Sequence, residues 1–367
     1  MAVSLKGILP KIRDFADTYA RNESVAAVGL FGSWARHEAS ASSALDILAV
    51  DGSDLDFEYH ELDVHGGLLL DINRIPWKWV GEVVVPGVDH RLHEVLILHD
   101  PDGLLRRAKE FVEGNYRTHG RVEIRTESYL TSADMYLSRS SSAMTRGDLE
   151  TASLYAERSL VPASYVLMDI AEVPITRDAL VWNLRRACEG VGLIDFFRAF
   201  IEVTGLSGLD GRDVTRCLHR FEGTWRHMSG RMMEEQRIVD GLHGVLRREI
   251  YYLADPAMLR LVLGRAREML EVNNFVGAAM YMRGWLLPLL EAYAWVISAV
   301  RGDKFDYTSL FKIIREEGVE GAYDAAIGVF DMQDLTESVH GQAVDQARSL
   351  VSRIRGARRG LIVRFVN

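Results

Sequence analysis

The chain is poor in cysteine and in long apolar runs, and each shortage excludes a class of protein. Its 367 residues include two cysteines, too few for a disulfide-stapled extracellular scaffold. Both Cys188 and Cys217 lie in segments with helical periodicity, so we expect reduced thiols. The most apolar window, residues 284–300, is interrupted by Pro288 and Glu291 and predicts a buried helix rather than a membrane span.

Positive charge is also in short supply. The chain has 43 lysine and arginine residues against 52 aspartate and glutamate residues, a formal net charge of −9. A surface that coats nucleic acid broadly is therefore not expected, although a local basic groove stays open as an alternative. The first 16 residues predict an amphipathic helix rather than a cleavable signal peptide. We expect a cytoplasmic protein with no membrane partner, and a nucleic-acid partner is not favoured.

The pattern of short apolar runs predicts an α+β domain over residues 1–113. The predicted strands are residues 25–31, 45–50, 57–64, 68–72 and 95–98, and the predicted helices are residues 5–21 and 102–113. Helical periodicity dominates residues 114–367 and predicts a large all-α region. That length is sufficient for two helical subdomains, 121–254 and 255–367.

A weak internal repeat lies in the helical region. The segment GDLETASLYAERSLVPASYVL, residues 147–167, aligns without gaps on NNFVGAAMYMRGWLLPLLEAY, residues 273–293. Tyr155 then aligns with Tyr281, and Pro162 with Pro288. Each segment follows another helical stretch, which suggests the second half of a helical hairpin. Two interpretations stay open: an internal duplication, or a chance similarity between two amphipathic helices.

Small, hydroxyl and acidic residues near the N-terminus follow the order that phosphate and metal binding requires. Gly32-Ser33 ends an apolar strand and begins a helical turn, where backbone N–H groups can hold phosphates. Asp46 lies on the next predicted strand and Asp71 on a later one. Magnesium prefers oxygen ligands, and carboxylates at i and i+2 of a strand point the same way. The residue two before Asp46 is Ala44, so one expected carboxylate is missing.

The stretch GSWARHEASASSALDILAV, residues 32–50, resembles the active-site signature of the DNA polymerase β-type nucleotidyltransferase superfamily. It is closest in style to the aminoglycoside (kanamycin-type) and small archaeal and bacterial nucleotidyltransferases with a helical C-terminal domain. The positions that match the signature are Gly32, Ser33, Ala35, Arg36, Glu38, Ala39, Ser43 and Asp46. The later stretch GLLLDINRI is similar to the strand of the third carboxylate, with Asp71 in the ligand position.

The resemblance implies a nucleotidyltransferase fold and a transfer reaction. A nucleoside monophosphate would move from an NTP, most simply ATP, to an acceptor hydroxyl that the sequence does not identify. Gly32 and Ser33 would hold the β and γ phosphates, and Arg36 would contact the triphosphate. Asp46 and Asp71 would hold Mg²⁺ or Mn²⁺.

The resemblance also implies a role for the helical region. In the aminoglycoside-type relatives a carboxylate of the helical domain acts as general base. Glu127 and Asp134 lie on the first predicted helix of that region and are candidates by location. Helical C-terminal domains of this kind often pair, so a homodimer is a further expectation.

Two positions depart from the signature. His37 stands where glycine is usual, and Ala44 stands where the first metal-binding aspartate belongs. Three interpretations of Ala44 stay open: an engineered Asp→Ala substitution, a natural pseudoenzyme, or a carboxylate supplied from elsewhere. Asp54 and Asp56 follow the strand at too long a spacing for the last of these. Loss of a group that acts on developing charge lowers the rate by about a hundredfold or more, so impaired activity is expected.

Other interpretations of the same residues compete with the resemblance. The chain could be a non-catalytic nucleotide-binding or antitoxin-like interaction protein. It could also transfer a nucleotide to an RNA end, which the acidic charge disfavours. Ser33 could be an ordinary helix N-cap, and Asp71 could pair with Arg74 at a strand end. The histidines lack zinc-ligand spacing, so surface roles are favoured for them.

Overall fold

The computed structural model describes residues 5–81, 83–317, 321–333 and 336–366. The chain divides into two units. Unit 1 comprises Met1–Arg117 and Leu242–Gly264, and unit 2 comprises Thr118–Gly241 and Arg265–Asn367. The chain therefore passes from unit 1 to unit 2, returns to unit 1 for the short segment Leu242–Gly264, here called the excursion, and then completes unit 2.

This division differs from the one drawn from the sequence. The sequence placed a boundary at residue 113 and assigned everything after it to a helical region. In the structure, unit 1 extends to Arg117 and also includes the excursion Leu242–Gly264. The suggested split of the helical region at residues 254 and 255 falls inside that excursion. The reason is tertiary, because helix α11 (Gly244–Ala254) packs against strand β3 (Tyr59–His65).

Unit 1 is built on a five-stranded mixed sheet with the order β3-β4-β2-β1-β5. The β2–β4 pair is parallel, and the other three neighbouring pairs are antiparallel. The strands are β1 (Val25–Phe31), β2 (Leu45–Asp51), β3 (Tyr59–His65), β4 (Leu68–Pro76) and β5 (Leu96–His99). All five predicted strands are present, and the predicted α+β class with a large helical region is confirmed.

Helices cover both faces of this sheet, which explains why β1 and β2 are apolar along their length. The helices of unit 1 are α1 (Leu5–Tyr19), α2 (Gly32–Ala35), α3 (Asp89–Glu94), α4 (Leu104–Asn115) and α11, with two 3-10 turns at Trp77–Trp79 and Pro86–Val88. Phe15 of α1 packs in one core cluster with Ile47 of β2. Leu92 of α3 and Leu105 of α4 pack in a second cluster with Leu48 of β2.

Unit 2 is helical. Its helices are α5 (His119–Thr145), α6 (Leu149–Ile170), α7 (Leu180–Val191), α8 (Ile194–Val203), α9 (Gly211–Glu234), α10 (Gln236–Gly241), α13 (Phe275–Arg301), α14 (Leu310–Glu316), α15 (Ala322–Val329) and α16 (Glu337–Phe365), with a 3-10 turn at Tyr307–Ser309. Helix α12 (Pro256–Glu271) begins in unit 1 and ends in unit 2. Within the described ranges, no helix combines the length and apolarity that a bilayer crossing requires.

The helical region repeats its element boundaries at a spacing of 126 residues. Helix α5 ends at Thr145 and α12 at Glu271, and the helices that follow them begin at Leu149 and Phe275. The long helices α9 and α16 begin at Gly211 and Glu337, the same distance apart. Three pairs of element boundaries thus share this spacing, and the pair of α9 and α16 lies well beyond the segments that the sequence aligns.

Local geometry repeats at the same spacing. The turn before α6 contains Gly147 at φ 75°, and the turn before α13 contains Asn273 at φ 57°. Asp148 then caps α6 by accepting the Thr151 N–H at 3.1 Å, and Asn274 caps α13 through Gly277 at 3.1 Å. Both turns require a left-handed residue followed by a short polar cap. The agreement favours duplication over a chance similarity of amphipathic helices.

The two halves of unit 2 exchange their long helices. Helix α9 belongs to the first half, Thr118–Gly241, but packs against α13 of the second half, Arg265–Asn367, and α16 of the second half packs against α6 of the first. The shorter helices follow the same rule, because α15 packs on α9 and α8 packs on α16. The halves therefore form one intertwined core instead of two separate subdomains.

Candidate functional site

Asp46 and Asp71 lie opposite each other in the parallel β2–β4 ladder. Residues in register on neighbouring strands point to the same face of a sheet, roughly 4.8 Å apart along the hydrogen-bonding direction. Asp46 alternates with Leu45 and Ile47, so it lies on the same face as Leu48, which α3 and α4 cover. Two carboxylates that are 25 residues apart in sequence are therefore adjacent in the fold.

The Gly32 turn lies directly against the Asp46 carboxylate. Phe31, the last residue of β1, pairs with Asp46 of β2, and Gly32 follows at φ 72°. A Cβ at this position would overlap the Asp46 side chain, and a left-handed φ disfavours other residues in any case. Gly32 is therefore required both for the turn and for the close approach of the two segments.

Glu94 of α3 accepts hydrogen bonds from the polar groups of this turn. Its Oε1 accepts a hydrogen bond from the Gly32 N–H at 2.9 Å, and its Oε2 pairs with the Arg36 guanidinium. Arg36 also pairs with Glu38 at 2.8 Å. Burial alone would lower the pKa of Arg36, but these carboxylates raise it overall. An internal carboxylate thus lies where the resemblance expects a phosphate, and no motif near Gly32 in sequence points to Glu94.

Ser33 and His37 shape the remainder of the turn. The N-cap of α2 is Phe31, so the alternative that Ser33 is an ordinary N-cap is wrong. The Ser33 carbonyl accepts the Glu38 N–H at 2.8 Å, which closes the turn. His37 adopts φ 61°, a left-handed conformation that favours glycine. Glycine, the residue that the signature has at the matching position, would adopt this conformation without strain.

Tyr252 and His60 flank the Asp71 carboxylate. The Tyr252 hydroxyl, on α11, donates to Asp71 Oδ2 at 2.9 Å. Asp71 Oδ1 is buried and makes no hydrogen bond with any described residue, and His60 Nδ1 lies 3.6 Å from it. That separation is too long for a hydrogen bond. One oxygen of Asp71 is thus held by the Tyr252 hydroxyl, and the other lies within ion-pair distance of His60.

A charged network extends from His60 along the same face. Glu58 lies 3.5 Å from His60 Nε2 and pairs with Arg91 of α3, which also donates to Asn73 at 3.1 Å. Burial alone would raise the pKa of Glu58, but the Arg91 guanidinium lowers it overall. Glu58 therefore stays ionised and engaged with Arg91. Neither Glu58 nor Tyr252 carries a sequence signal, because neither lies near the signature in sequence.

The alternative pairing of Asp71 with Arg74 is wrong. Residues three apart on a strand point to opposite faces, and Arg74 lies on the α1 side. There its guanidinium donates to Asp51 at 2.6 Å and to the Ser24 hydroxyl at 2.6 Å.

Asp46 and Asp71 suit a divalent cation that binds with substrate. Among the described residues, no group of three or more histidine, cysteine, aspartate or glutamate side chains is arranged as a metal cage. Magnesium is usually held by one or two carboxylates together with substrate phosphates and water. The in-register pair fits that pattern, and Asp71 Oδ1 makes no hydrogen bond with a described residue. Ala44 is buried just before β2, and continued alternation of the strand would put a third carboxylate on the same face.

The two general-base candidates have other partners. Glu127 and Asp134 lie on α5 of unit 2, where Glu127 pairs with Arg358 at 2.6 Å and Asp134 pairs with Arg355. Both arginines belong to α16, so these carboxylates help to hold α16 against α5. Comparison with known proteins adds no assignment, because no protein-family model and no curated protein matches the chain.

Proposed function

We propose that unit 1 is a nucleotidyltransferase that moves a nucleoside monophosphate from an NTP, most simply ATP, to an acceptor hydroxyl. The observation that carries this proposal is the in-register pair Asp46 and Asp71 beside the Gly32 turn. Strand pairing produces this arrangement from segments that also match the superfamily signature. Strand register brings together the three positions that the signature singles out, which supports the proposal.

Each residue has a separate task in the proposed reaction. Asp46 and Asp71 would hold Mg²⁺ or Mn²⁺, which supplies charge stabilisation to the phosphates when bound. Tyr252 orients Asp71 by donating to one of its oxygens. The Gly32 N–H and the Arg36 guanidinium donate hydrogen bonds to Glu94. A bound triphosphate would compete with Glu94 for these two donors. We assign no general base, since Glu127 and Asp134 pair with arginines.

Ala44 makes the chain as it stands a poor catalyst under this proposal. The test is magnesium-dependent ATP binding by calorimetry and pyrophosphate release, for the chain and for Ala44→Asp. We expect both to bind ATP and Ala44→Asp to release pyrophosphate at least about a hundredfold faster. Ala44→Asn, of similar size but uncharged, should give no such gain. Adding Asp46→Asn to Ala44→Asp should remove the gain.

A second candidate function is nucleotide binding without turnover, which the absence of a carboxylate at Ala44 favours. ATP binding by both chains with no pyrophosphate release from either, tested against a panel of hydroxyl acceptors, would support this second function. Failure of both chains to bind ATP would overturn the nucleotide proposal altogether.

A further inference from the structure

Unit 2 contains two cavities at equivalent places in its two halves. One, pocket A, has a volume of about 260 Å³ and lies between α9, α13 and the end of α15. The other, pocket B, has a volume of about 390 Å³ and lies between α16, α6 and the end of α8. These elements correspond at the same spacing of 126 residues that relates the halves. Each pocket is therefore the counterpart of the other, and the residues that line them can be compared position by position.

The counterpart positions carry different charges. Arg216 and Arg220 of α9 line pocket A, and Gln342 and Gln346 of α16 take their places in pocket B. Across from them, Arg283 of α13 lines pocket A. The counterpart of Arg283 in pocket B is Glu157 of α6, so a third position also differs in charge.

The remaining charges preserve this contrast. Asp213 and Asp331 also line pocket A, against its three arginines. The described lining of pocket B has no lysine or arginine, and it includes Glu157, Glu202 and Asp331. Two cavities of common architecture thus have opposite polarity, and the guanidinium groups gather in only one of them.

Arg283 is built into the wall of pocket A. Its side chain is 5% exposed, its Nη1 donates to the Thr204 carbonyl at 2.6 Å, and its Nε donates to the Val329 carbonyl at 3.2 Å. The Glu157 carboxylate lies 3.5 Å away. Backbone carbonyls therefore fix the position of this guanidinium, which preorganises one side of the pocket.

Arg220 and Arg216 face Arg283 from the other side. Arg220 donates to the Gly328 carbonyl at 3.0 Å, and the counterpart of Gly328 in pocket B is Glu202. Arg216 is exposed, with its Nη1 3.7 Å from Asp213, a loose ion pair. Arg216 can therefore reorient onto a ligand without losing a strong internal contact, whereas the Gly328 carbonyl holds Arg220 in the wall of the pocket.

Cys217, also in the lining, adds no negative charge. Burial raises the pKa of its thiol to about 11, against the opposing effect of Arg283 and Arg220. The thiol stays protonated at neutral pH. Its counterpart in pocket B is Ala343, which is uncharged as well.

We propose that pocket A binds a small ligand through a phosphate group, and that pocket B does not. Planar guanidinium forks match phosphate oxygens in two-point contacts, and several of them around one cavity select for such an anion. The volume of about 260 Å³ admits a phosphate group together with part of a small organic molecule. The inference is independent of the nucleotidyltransferase proposal, because every residue in it belongs to unit 2.

The experiment is calorimetric titration of the full chain with inorganic phosphate, pyrophosphate and AMP, with EDTA present to suppress metal-dependent binding. We expect saturable binding of at least one of these ligands. Inorganic phosphate as the tightest ligand would indicate the free ion, and AMP as the tightest would indicate a phosphate ester. No saturable binding of any of them would overturn the proposal.

Variants locate the binding. Arg216→Gln with Arg220→Gln installs the residues of pocket B and should weaken the affinity at least about tenfold, because charge-assisted hydrogen bonds are lost. The matched control is Gln342→Ala with Gln346→Ala, which should leave the affinity unchanged. Arg216→Gln alone is exposed and keeps the test valid if the double variant unfolds. Affinity that survives the arginine changes, or that the glutamine changes reduce equally, would contradict the proposal.

Discussion

Two aspartates of strand β2 lie on opposite faces of the sheet and have neighbours of opposite charge. Asp51 lies on the α1 face, where the buried guanidinium of Arg74 is 2.6 Å away and Ser53 donates to the same carboxylate. Asp46 lies on the other face, in register with a second acid, Asp71. The first arrangement neutralises its charge within the chain. The second places like charges side by side, which repel unless a cation or a proton intervenes.

The contrast separates a buried ion pair from a pair of like charges on the two faces of one sheet. Arg74 and Asp51 are 7% and 5% exposed, so their pairing belongs to the core that holds α1 and the sheet together. The acid pair Asp46 and Asp71 instead places two carboxylates in register, with the Tyr252 hydroxyl donating to Asp71 at 2.9 Å. Under the proposed function, a bound cation would offset the negative charge of this pair.

The largest effect is expected from breaking the neutralised pair. Asp51→Ala should lower the free energy of unfolding of unit 1 by about 3–5 kcal/mol, because it leaves the Arg74 guanidinium buried without its partner. Chemical denaturation measures this change. Asp54→Ala, an exposed neighbour, should change stability by less than about 0.5 kcal/mol. A similar small value for Asp51→Ala would show that the pair does not stabilise the sheet.

The same pair predicts a pH dependence. Burial alone would raise the pKa of Asp51, but hydrogen bonds from Ser53 and the charge of Arg74 hold it below its ordinary value. A lowered pKa in the folded state contributes stability at neutral pH that is lost as pH falls through that pKa. The difference between the chain and Asp51→Ala should therefore shrink on acidification below the ordinary aspartate pKa. A difference that grows instead would contradict this sign.

An intermediate effect is expected at the acid pair. Tyr252→Phe removes the hydroxyl that orients Asp71 and should weaken Mg²⁺ affinity about tenfold, a typical result for a group that positions a metal ligand. The measurement is a Mg²⁺ titration of pyrophosphate release in the Ala44→Asp chain. Tyr323→Phe removes a tyrosine–carboxylate hydrogen bond to Glu150 in unit 2 and should leave Mg²⁺ affinity unchanged. Equal Mg²⁺ affinities for both variants would show that Tyr252 does not orient a metal ligand.

The smallest effect is expected at the turn that supports Asp46. His37→Gly relieves a left-handed φ of 61° and should raise the free energy of unfolding by up to about 1 kcal/mol. The gain is limited because glycine loses more backbone entropy on folding. The thermal midpoint measures it. A lower midpoint would mean that the His37 side chain makes a contact worth more than the strain.

Strand patterns predicted much of unit 1, since β1 and β2 are short apolar runs bounded by turn residues. The helical excursion Leu242–Gly264 was not predictable, because its assignment to unit 1 depends on α11 packing against β3. The same packing brings Tyr252 to Asp71 across 181 residues of sequence. Glu94 reaches the Gly32 turn in a similar way, from 62 residues further along the chain.

The sequence by itself determined the local chemistry: a glycine where β1 turns, aspartates at 46 and 71, an alanine at 44 and a repeat in the helices. Spacing and side-chain alternation are local properties, so they can be read from one strand or one helix at a time. Only the tertiary structure decided which of these groups meet, since strand register, the return of α11 and the exchange of α9 and α16 depend on contacts between distant segments. Those contacts placed Tyr252 beside Asp71 and gathered three arginines in one of two counterpart pockets.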